Sequence, residues 1–325
     1  PCCSLQLLQK KKPLIMLIFF PYLLSIKKSM HLPDVFLEGF LKEKIQGNAL
    51  LEFFISLINK TIQAGKKKYI VSYSGGIGSA ITAQMVVDKY GAENTVLLFS
   101  DTNMEDPDLY RFNKDVSNLL QVPITRIADG RTPWEVFEDV KFIGNSRIDP
   151  CSKILKREII KKWIKENYTS EECNIFVGID CSEEHRLHRV VEANKPYVYR
   201  SILIEQDIFI DNEYKLQWCE DNNITPPLLY TLGFAHNNCG GFCVKSGLGQ
   251  FKTLYEKLPE RYNEHEEIEQ RLMRENPKLR PFLKKTIKGE TLYLTMKDYR
   301  EQFLEKAKTE EDKFDFGGCG CALED

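Results

Sequence analysis

The sequence predicts a doubly wound α/β fold, in which helices pack on both faces of a parallel sheet. Between residues 66 and 205, short apolar runs alternate with amphipathic stretches of helical spacing, which is typical of consecutive βαβ units. A turn of three glycines and two serines, SGGIGS at residues 74–79, follows the first run. In a parallel sheet the carboxyl ends of all strands lie at the same edge. We therefore expect this turn, which follows the first strand, to lie at that edge with the ends of the other strands.

The elements of this fold follow one another along the chain. The predicted strands are short apolar or β-branched runs, at 68–74, 94–100, 122–129 and 173–180. The predicted helices have apolar residues at helical spacing, at 78–90, at 106–120, from Pro133 onward and at 151–168. The first of these helices is expected to end at Gly91, because glycine commonly terminates helices.

Changes in composition and in the spacing of apolar residues divide the chain into four parts. Residues 1–29 contain basic and apolar stretches like those of a signal peptide, but Pro21 interrupts the apolar run. We interpret them as an extension outside the fold, with export or membrane anchoring as the alternative. Residues 30–65 predict a helical cover, 66–205 the α/β domain, and 206–325 a helical region with a cysteine cluster.

The composition is that of a globular protein without a global preference for polyanions. The 325 residues carry a net charge of −2, and the pI is near 6.3. The basic stretches KREIIKKWIK and LKKTIK permit a nucleic-acid or sulfur-carrier partner, or they are solvated helix faces. The ten cysteines do not have the spacing of a small disulfide scaffold, so we expect a reducing, cytoplasmic compartment without membrane attachment.

The glycine turn has the composition of a phosphate-binding site. Glycines let backbone N–H groups approach a ligand closely, and the start of the next helix favours an anion. Ser74 and Ser79 add hydroxyl donors, but no lysine precedes Ser79, so the turn is not a Walker loop. A dinucleotide fingerprint is interrupted at Ile81. It stays open as an alternative, as does a corner that binds no ligand.

Five segments in chain order carry a resemblance to a known family. They are SGGIGS (74–79), SDTNMEDPDLYRF (100–112), DPCSKILKREIIKKWI (149–164), FVGIDCSEEHR (176–186) and PPLLYTLGFAHNNCGGFC (226–243). Together they resemble the phosphoadenosine phosphosulfate reductase family, within the PP-loop ATP pyrophosphatases. The resemblance covers roughly residues 66–245, and it implies the PP-loop α/β fold.

The resemblance also implies a site for ATP or a related adenine nucleotide with Mg²⁺. In that family the glycine turn holds the terminal phosphates or the sulfate of the nucleotide. Ser100 to Asn103, including Asp101 and Thr102, would lie beside the ribose or adenine. The residues implied for the phosphates are Ser74, Gly75, Gly76, Gly78 and Ser79.

Charged residues of two motifs have two interpretations. Arg186 and Arg189 are expected either to place guanidinium groups on an anionic substrate or to lie on a solvated helix face. Lys153 and Lys156 have the same alternatives. We name Arg186 as a catalytic candidate together with Ser79 and Cys151.

Two close cysteine pairs suggest a metal site. Cys239 and Cys243 enclose GGF, whereas Cys319 and Cys321 are separated by one glycine. Glycine between ligands lets the chain fold back, and four thiolates suit tetrahedral zinc or a [4Fe–4S] cluster. A redox dithiol pair and separate thiols are the alternatives.

Cys151 stands apart from these pairs, at the start of the predicted helix 151–168. A helix N-terminus lowers the pKa of a thiol and so favours the thiolate. We therefore expect either a sulfur carrier or nucleophile, or a small residue buried at the helix start.

The expected activity is adenylyl transfer of the ATP pyrophosphatase type. A substrate oxygen would attack the α-phosphorus, pyrophosphate would leave, and a sulfur or amine nucleophile would then displace AMP. The first alternative is a thiol- or iron–sulfur-dependent reductase of adenylylsulfate or its 3′-phosphorylated form. The second is a non-catalytic nucleotide-binding partner of a nucleic-acid-modification system.

Overall fold

The computed structural model describes residues 67–145, 147–287 and 290–306, all within the unit Gly65–Asp325. Three sequence-based predictions lie outside these ranges: the extension at 1–29, the helical cover at 30–65, and the cysteine pair Cys319 and Cys321. No helix in the described ranges is long and apolar enough to span a bilayer.

A five-stranded sheet forms the centre of the described structure, and all its strand pairs are parallel. Its strands are β1 (Lys68–Tyr73), β2 (Thr95–Asp101), β3 (Ile124–Ala128), β4 (Cys173–Phe176) and β5 (Val198–Arg200). The order in space is β3-β2-β1-β4-β5, so the chain builds outward from β1 to one side and then crosses to the other. The predicted doubly wound α/β fold is therefore confirmed.

The first helices follow the predicted order; they are α1 (Ile77–Tyr90), α2 (Pro107–Leu120) and α3 (Pro133–Val140). The sequence did not predict α5 (Glu184–Ala193), which connects β4 to β5, or α6 (Ile202–Glu205), which follows β5. Between α3 and β4 lies α4, a continuous helical stretch that is α-helical at Pro150–Ser152, π-helical at Lys153–Glu158 and α-helical again at Ile159–Asn167.

Alternating side chains of the strands build a core on each face of the sheet. On one face, Val71 and Tyr73 of β1 pack in a cluster with α1 and α2, including Phe112. On the other face, Ile70 packs in a cluster with Ile160 of α4 and with residues of β4 and α5. Burial on both faces explains why the strand sequences are nearly continuous apolar runs.

The chain after the sheet begins with α7 (Asn212–Asp221), whose Trp218 packs in the same core as α1. The helices that follow form a third core around Phe242; they are α8 (Leu228–Thr231), α9 (Leu248–Lys257), α10 (Pro259–Glu275) and α11 (Met296–Tyr299). Phe242 packs against Trp134 of α3 and Phe251 of α9, which attaches this region to the α/β domain. An antiparallel hairpin of β6 (Leu283–Ile287) and β7 (Glu290–Leu294) also belongs to it.

Candidate functional site

The glycine turn lies where the topology of the sheet reverses. It joins β1 to α1, and β1 is flanked by β2 on one side and β4 on the other. Ligands of open α/β sheets bind in the crevice at such a switch point. Beyond β4, a Cβ on Gly178 would lie 3.3 Å from Thr82 Oγ1 of α1, so the end of β4 and the start of α1 are close together.

Gly75 gives the turn its shape. Its φ of +78° lies in the left-handed region, where residues with a Cβ are disfavoured. A Cβ there would also lie 2.9 Å from the side chain of Leu109, a buried residue of α2. The turn therefore needs glycine at this position both for its backbone conformation and for its packing.

The two serines hold the turn closed. Ser79 Oγ donates a hydrogen bond to the Gly76 carbonyl oxygen at 2.8 Å and accepts one from Ser74 N at 3.2 Å. The Ser74 and Ser79 hydroxyl oxygens are themselves 3.2 Å apart. Both predicted serines are thus brought together in the turn.

The first amides of α1 have no side-chain cap within the described residues. Gly76 precedes the helix in an extended conformation and supplies none. Gly76, Ile77 and Ser79 are buried and Gly78 is half-buried, and among the described residues a Cβ on Gly78 would meet no heavy atom within 4 Å. Uncapped first-turn amides beside this space favour an anion, because they carry the positive end of the helix dipole.

Asp101 and Thr102 lie at the end of β2, but their side chains are already engaged. Asp101 is fully buried, and its carboxylate accepts hydrogen bonds from Tyr110 Oη, Arg126 Nε and the amide of Asn103. Thr102 Oγ1 donates to Glu105 Oε1 at 2.8 Å. These contacts stabilise the end of the strand. A ribose hydroxyl would therefore have to bond to side-chain oxygens that already have partners.

The buried carboxylate of Glu105 contacts three segments of the chain, and the sequence analysis did not predict a role for it. Its carboxylate accepts hydrogen bonds from Thr102 Oγ1 and from the amide of Cys239 at 2.6 Å, and it lies 3.7 Å from Lys156 Nζ. Burial raises the pKa of Glu105, whereas Lys156 and the two hydrogen bonds act in the opposite direction. Glu105 therefore joins the end of β2, helix α4 and the loop 237–247 before α9, called the cysteine loop because it contains Cys239 and Cys243.

A small recess, partly open to solvent, lies beside Glu105. It brings Cys151 together with Cys239 and Cys243, although the sequence separates them widely. The complete lining is Thr102, Pro133, Asp149, Cys151, Ser152, Lys156, Cys239, Cys243, Val244 and Lys245. Cys151 therefore joins the cysteine loop at the recess.

Charged side chains surround the thiols of the recess. Asp149 is held by Arg157 through two N–O contacts of 3.2 Å, and Lys245 Nζ lies 3.4 Å from the same carboxylate. Lys156 is buried as well, whereas Lys153 of the same π-helical segment is exposed. The surface alternative is thus wrong for Lys156. A π-helical turn adds a residue per turn and shifts the inward face of the helix.

Arg186 and Arg189 are on α5, which contributes no residue to the lining of the recess. Arg186 is buried and forms an ion pair with Glu183 immediately before α5. Arg189 is exposed. The two guanidinium groups therefore do not form a matched pair, and a substrate role stays a prediction for Arg186.

Two of the four cysteines of the predicted metal site lie in the described residues. Cys239 and Cys243 line the recess, whereas Cys319 and Cys321 lie outside the described residues. Within the described ranges, no three thiol, imidazole or carboxylate side chains are gathered closely enough to hold an ion. A thiolate site at the recess thus requires at least one ligand from elsewhere, or a rearrangement of Cys151.

Three comparisons relate the chain to known proteins. Residues 68–206 match the model of the phosphoadenosine phosphosulfate reductase domain. An uncharacterized protein of Methanocaldococcus jannaschii is 31% identical over 156 residues, which are 47% of this chain and 30% of that protein. The chain therefore spans less than a third of the relative's length.

The crystal structure of a predicted subunit of a tRNA methyltransferase from Methanocaldococcus jannaschii aligns with 47% of this chain and 75% of its own chain. The sequence identity is 16% and the TM-score is 0.31. The family match covers the strands β1–β5 and the glycine turn, and it confirms the resemblance for the four motif segments between residues 74 and 186. The fifth segment, 226–243, lies outside the matched residues. Residues 68–206 of this chain are therefore similar to the phosphoadenosine phosphosulfate reductase domain.

Proposed function

We propose that the glycine turn binds the phosphates of ATP or a related adenine nucleotide. The observation that carries this proposal is the uncapped start of α1 beside open space at Gly78, at the switch point of the sheet. Phosphate is the natural ligand of such a helix start, and the family match supports a nucleotide. Ser74 and Ser79 would orient the phosphates by turning their hydroxyl donors toward the ligand and away from their acceptors in this structure, Ser79 Oγ and Gly76 O.

The proposed reaction is adenylyl transfer. A substrate oxygen forms a bond to the α-phosphorus, the bond to the bridging oxygen breaks, and pyrophosphate leaves with that electron pair. A sulfur or amine nucleophile then attacks the adenylated carbon, and AMP leaves. The first amides of α1 would stabilise charge on the phosphates, and fixed donors do so without reorganisation during the reaction.

Bound Mg²⁺ would neutralise phosphate charge in this reaction. Asp101 already accepts three hydrogen bonds and Glu105 is enclosed by Thr102, Lys156 and Cys239. We therefore assign neither carboxylate to the ion. Mg²⁺ commonly keeps several waters and binds through substrate phosphates, which is the mode that fits these residues.

For the cysteines we propose a zinc or iron–sulfur site centred on the recess. The donor set fits by its chemistry, because Cys239 and Cys243 share the recess with Cys151 and with two ammonium groups that favour thiolates. Cys319 and Cys321 remain the proposed further ligands. When bound, a zinc ion would pin the loop, and a cluster would add one-electron chemistry.

The recess also favours one competing function, the reduction of a sulfonucleotide. Thr102, which follows β2, lines the same recess as the three cysteines. A thiolate there would lie near the sheet edge at which the nucleotide is proposed to bind. In that reaction the thiolate sulfur would attack the sulfate sulfur and AMP or its 3′-phosphate would leave.

Two assays separate these functions. ATP–pyrophosphate exchange reports adenylation, whereas thiol-dependent sulfite release from adenylylsulfate reports reduction. In calorimetry, Ser79→Ala is expected to weaken ATP binding by about 10- to 150-fold, the range for a lost hydrogen bond to a charged group. Ser117→Ala, whose hydroxyl bonds Val122 O away from the turn, is the matched control. Absence of heat with ATP, adenylylsulfate and their 3′-phosphorylated relatives would contradict nucleotide binding.

A further inference from the structure

The hairpin β6–β7 has one face fixed to the protein and one face open. Leu283 and Leu294 pair across the strands and are buried in the third core. Lys285, two residues beyond Leu283, lies on the same inward face, where its Nζ is 4.5 Å from the ring centroid of Phe303. The register of the hairpin therefore directs the alternate residues outward.

The outward face combines an aromatic ring, a cation and hydroxyl groups. Lys284 pairs with Tyr293 across the strands, and Thr286 pairs with Thr291 in the next position on the same face. Tyr293 is 60% exposed, which is the highest exposure among the large hydrophobic side chains described. An aromatic ring this open on a sheet face is available for stacking by a partner.

The chain that leads into β6 concentrates positive charge. Residues 274–287 contain five basic side chains and one acidic side chain, although the whole protein carries a net charge of −2. Arg274, Lys278 and Arg280 are exposed. Within the described ranges, none of these three takes part in an ion pair, whereas the neighbouring Arg271 is paired with Glu138 and Glu275.

We propose that the outward face of the hairpin, formed by Lys284, Thr286, Thr291 and Tyr293, binds single-stranded nucleic acid together with the exposed cations of the segment 274–280 that leads into β6. The cations would contact phosphates, the threonine hydroxyls would donate to phosphate oxygens, and an unpaired base would stack on Tyr293. Glu290 is the acidic residue of the hairpin, and its partner Ile287 places it on the inward face, not the face of Tyr293. A base must be unpaired to stack on the ring, so the surface should prefer single strands over a duplex.

The test is fluorescence anisotropy of the full chain with labelled 12-residue oligouridine and oligodeoxythymidine at several salt concentrations. Tyr293→Leu should weaken binding by about 5- to 150-fold, the range for one lost base stack, while Tyr293→Phe should bind like the wild type. The double variant Arg280→Gln and Lys284→Gln should reduce the magnitude of the salt slope by about 1.4, or about 0.7 for each lost contact to a single strand.

Matched controls come from exposed side chains elsewhere on the protein. Tyr214→Leu on α7 and the pair Lys114→Gln on α2 and Lys141→Gln, directly after α3, should leave affinity and salt slope unchanged. Calorimetry with ATP on the same variants separates this surface from the glycine turn, because hairpin variants should retain the nucleotide affinity of the wild type.

Binding of either oligonucleotide with the expected variant effects supports the proposal. No binding of both oligonucleotides at 50 mM salt overturns it, and so does unchanged affinity in Tyr293→Leu. Equal affinity for the corresponding duplex refutes base stacking. Tighter binding of phosphatidylserine vesicles than of either oligonucleotide would show that the partner is a membrane surface instead.

Discussion

Replacing Gly78 by alanine separates the two requirements of the glycine turn, folding and ligand binding. Gly78 is the second residue of α1, and a Cβ built on it meets no heavy atom within 4 Å. Glycine in a helix costs about 0.5–1 kcal/mol relative to alanine. Gly78→Ala should therefore raise the free energy of unfolding by about this amount, measured as a higher urea midpoint with an unchanged m-value.

Gly75→Ala provides the opposite case within the same turn. The φ of Gly75 is +78°, and the left-handed conformation costs a residue with a Cβ about 1–2 kcal/mol. The new methyl group would also lie 2.9 Å from Leu109, which is fully buried and has to move. This variant should therefore lose at least about 1–2 kcal/mol of stability.

The binding results should not follow the stability results. If phosphate occupies the space beside Gly78, a methyl group there keeps it away from the first amides of α1. We expect at least a tenfold weaker affinity for ATP in calorimetry, about 1.4 kcal/mol, in a protein that is more stable than the wild type. Wild-type ATP affinity in Gly78→Ala would refute this placement of the phosphates, and a lowered urea midpoint would refute the open space inferred at Gly78.

Two further predictions concern buried polar groups. Burial raises the pKa of Glu269 to about 8, above its value of about 4.3 in an unfolded chain, so the folded state binds the proton more tightly and stability falls as pH rises between these values. Glu269→Gln should remove this loss of stability with rising pH. Urea unfolding of both proteins at pH 5, 6.5 and 8 would measure it, and the same pH dependence of stability in both proteins would contradict the prediction. Asn237 Nδ2 donates to Gly75 O at 3.1 Å, while its buried Oδ1 has no partner among the described residues. Asn237→Ala should therefore cost only about 1 kcal/mol, whereas Asn237→Asp, which sets an acceptor against Gly75 O, should cost more; equal urea midpoints would argue against this contact.

The sheet and the turn could be predicted because their signals are local. The strands β1, β2, β3 and β4 are apolar runs, and the glycine turn directly follows the first of them. By contrast, β5 has only three residues, VYR at 198–200, too few to show a period. The hairpin was missed because LKKTI and ETLYL alternate polar and apolar residues only weakly and are rich in lysine.

The recess could not be predicted because it depends on contacts between distant segments. Cys151 meets Cys239 and Cys243 only after α4 and the cysteine loop have packed against the end of β2. Glu105 follows β2 in an acidic stretch whose composition is typical of a solvent-exposed segment. In the structure it is buried against its partners Lys156 and Cys239. No local pattern distinguishes such a carboxylate from a surface residue, since its environment is supplied by other parts of the chain.

The cysteine loop contacts both the glycine turn and the recess, the two parts of the candidate site. On the side of the turn, Asn237 bonds the carbonyl of Gly75, and a Cβ on Gly76 would lie 3.1 Å from Tyr230 Oη. On the side of the recess, the amide of Cys239 is fixed by Glu105. Because Asn237 and Cys239 are two residues apart, the cysteine loop cannot shift far without straining its hydrogen bond to the turn. Any reaction that uses both phosphates and thiols therefore begins from elements whose separation the fold already sets.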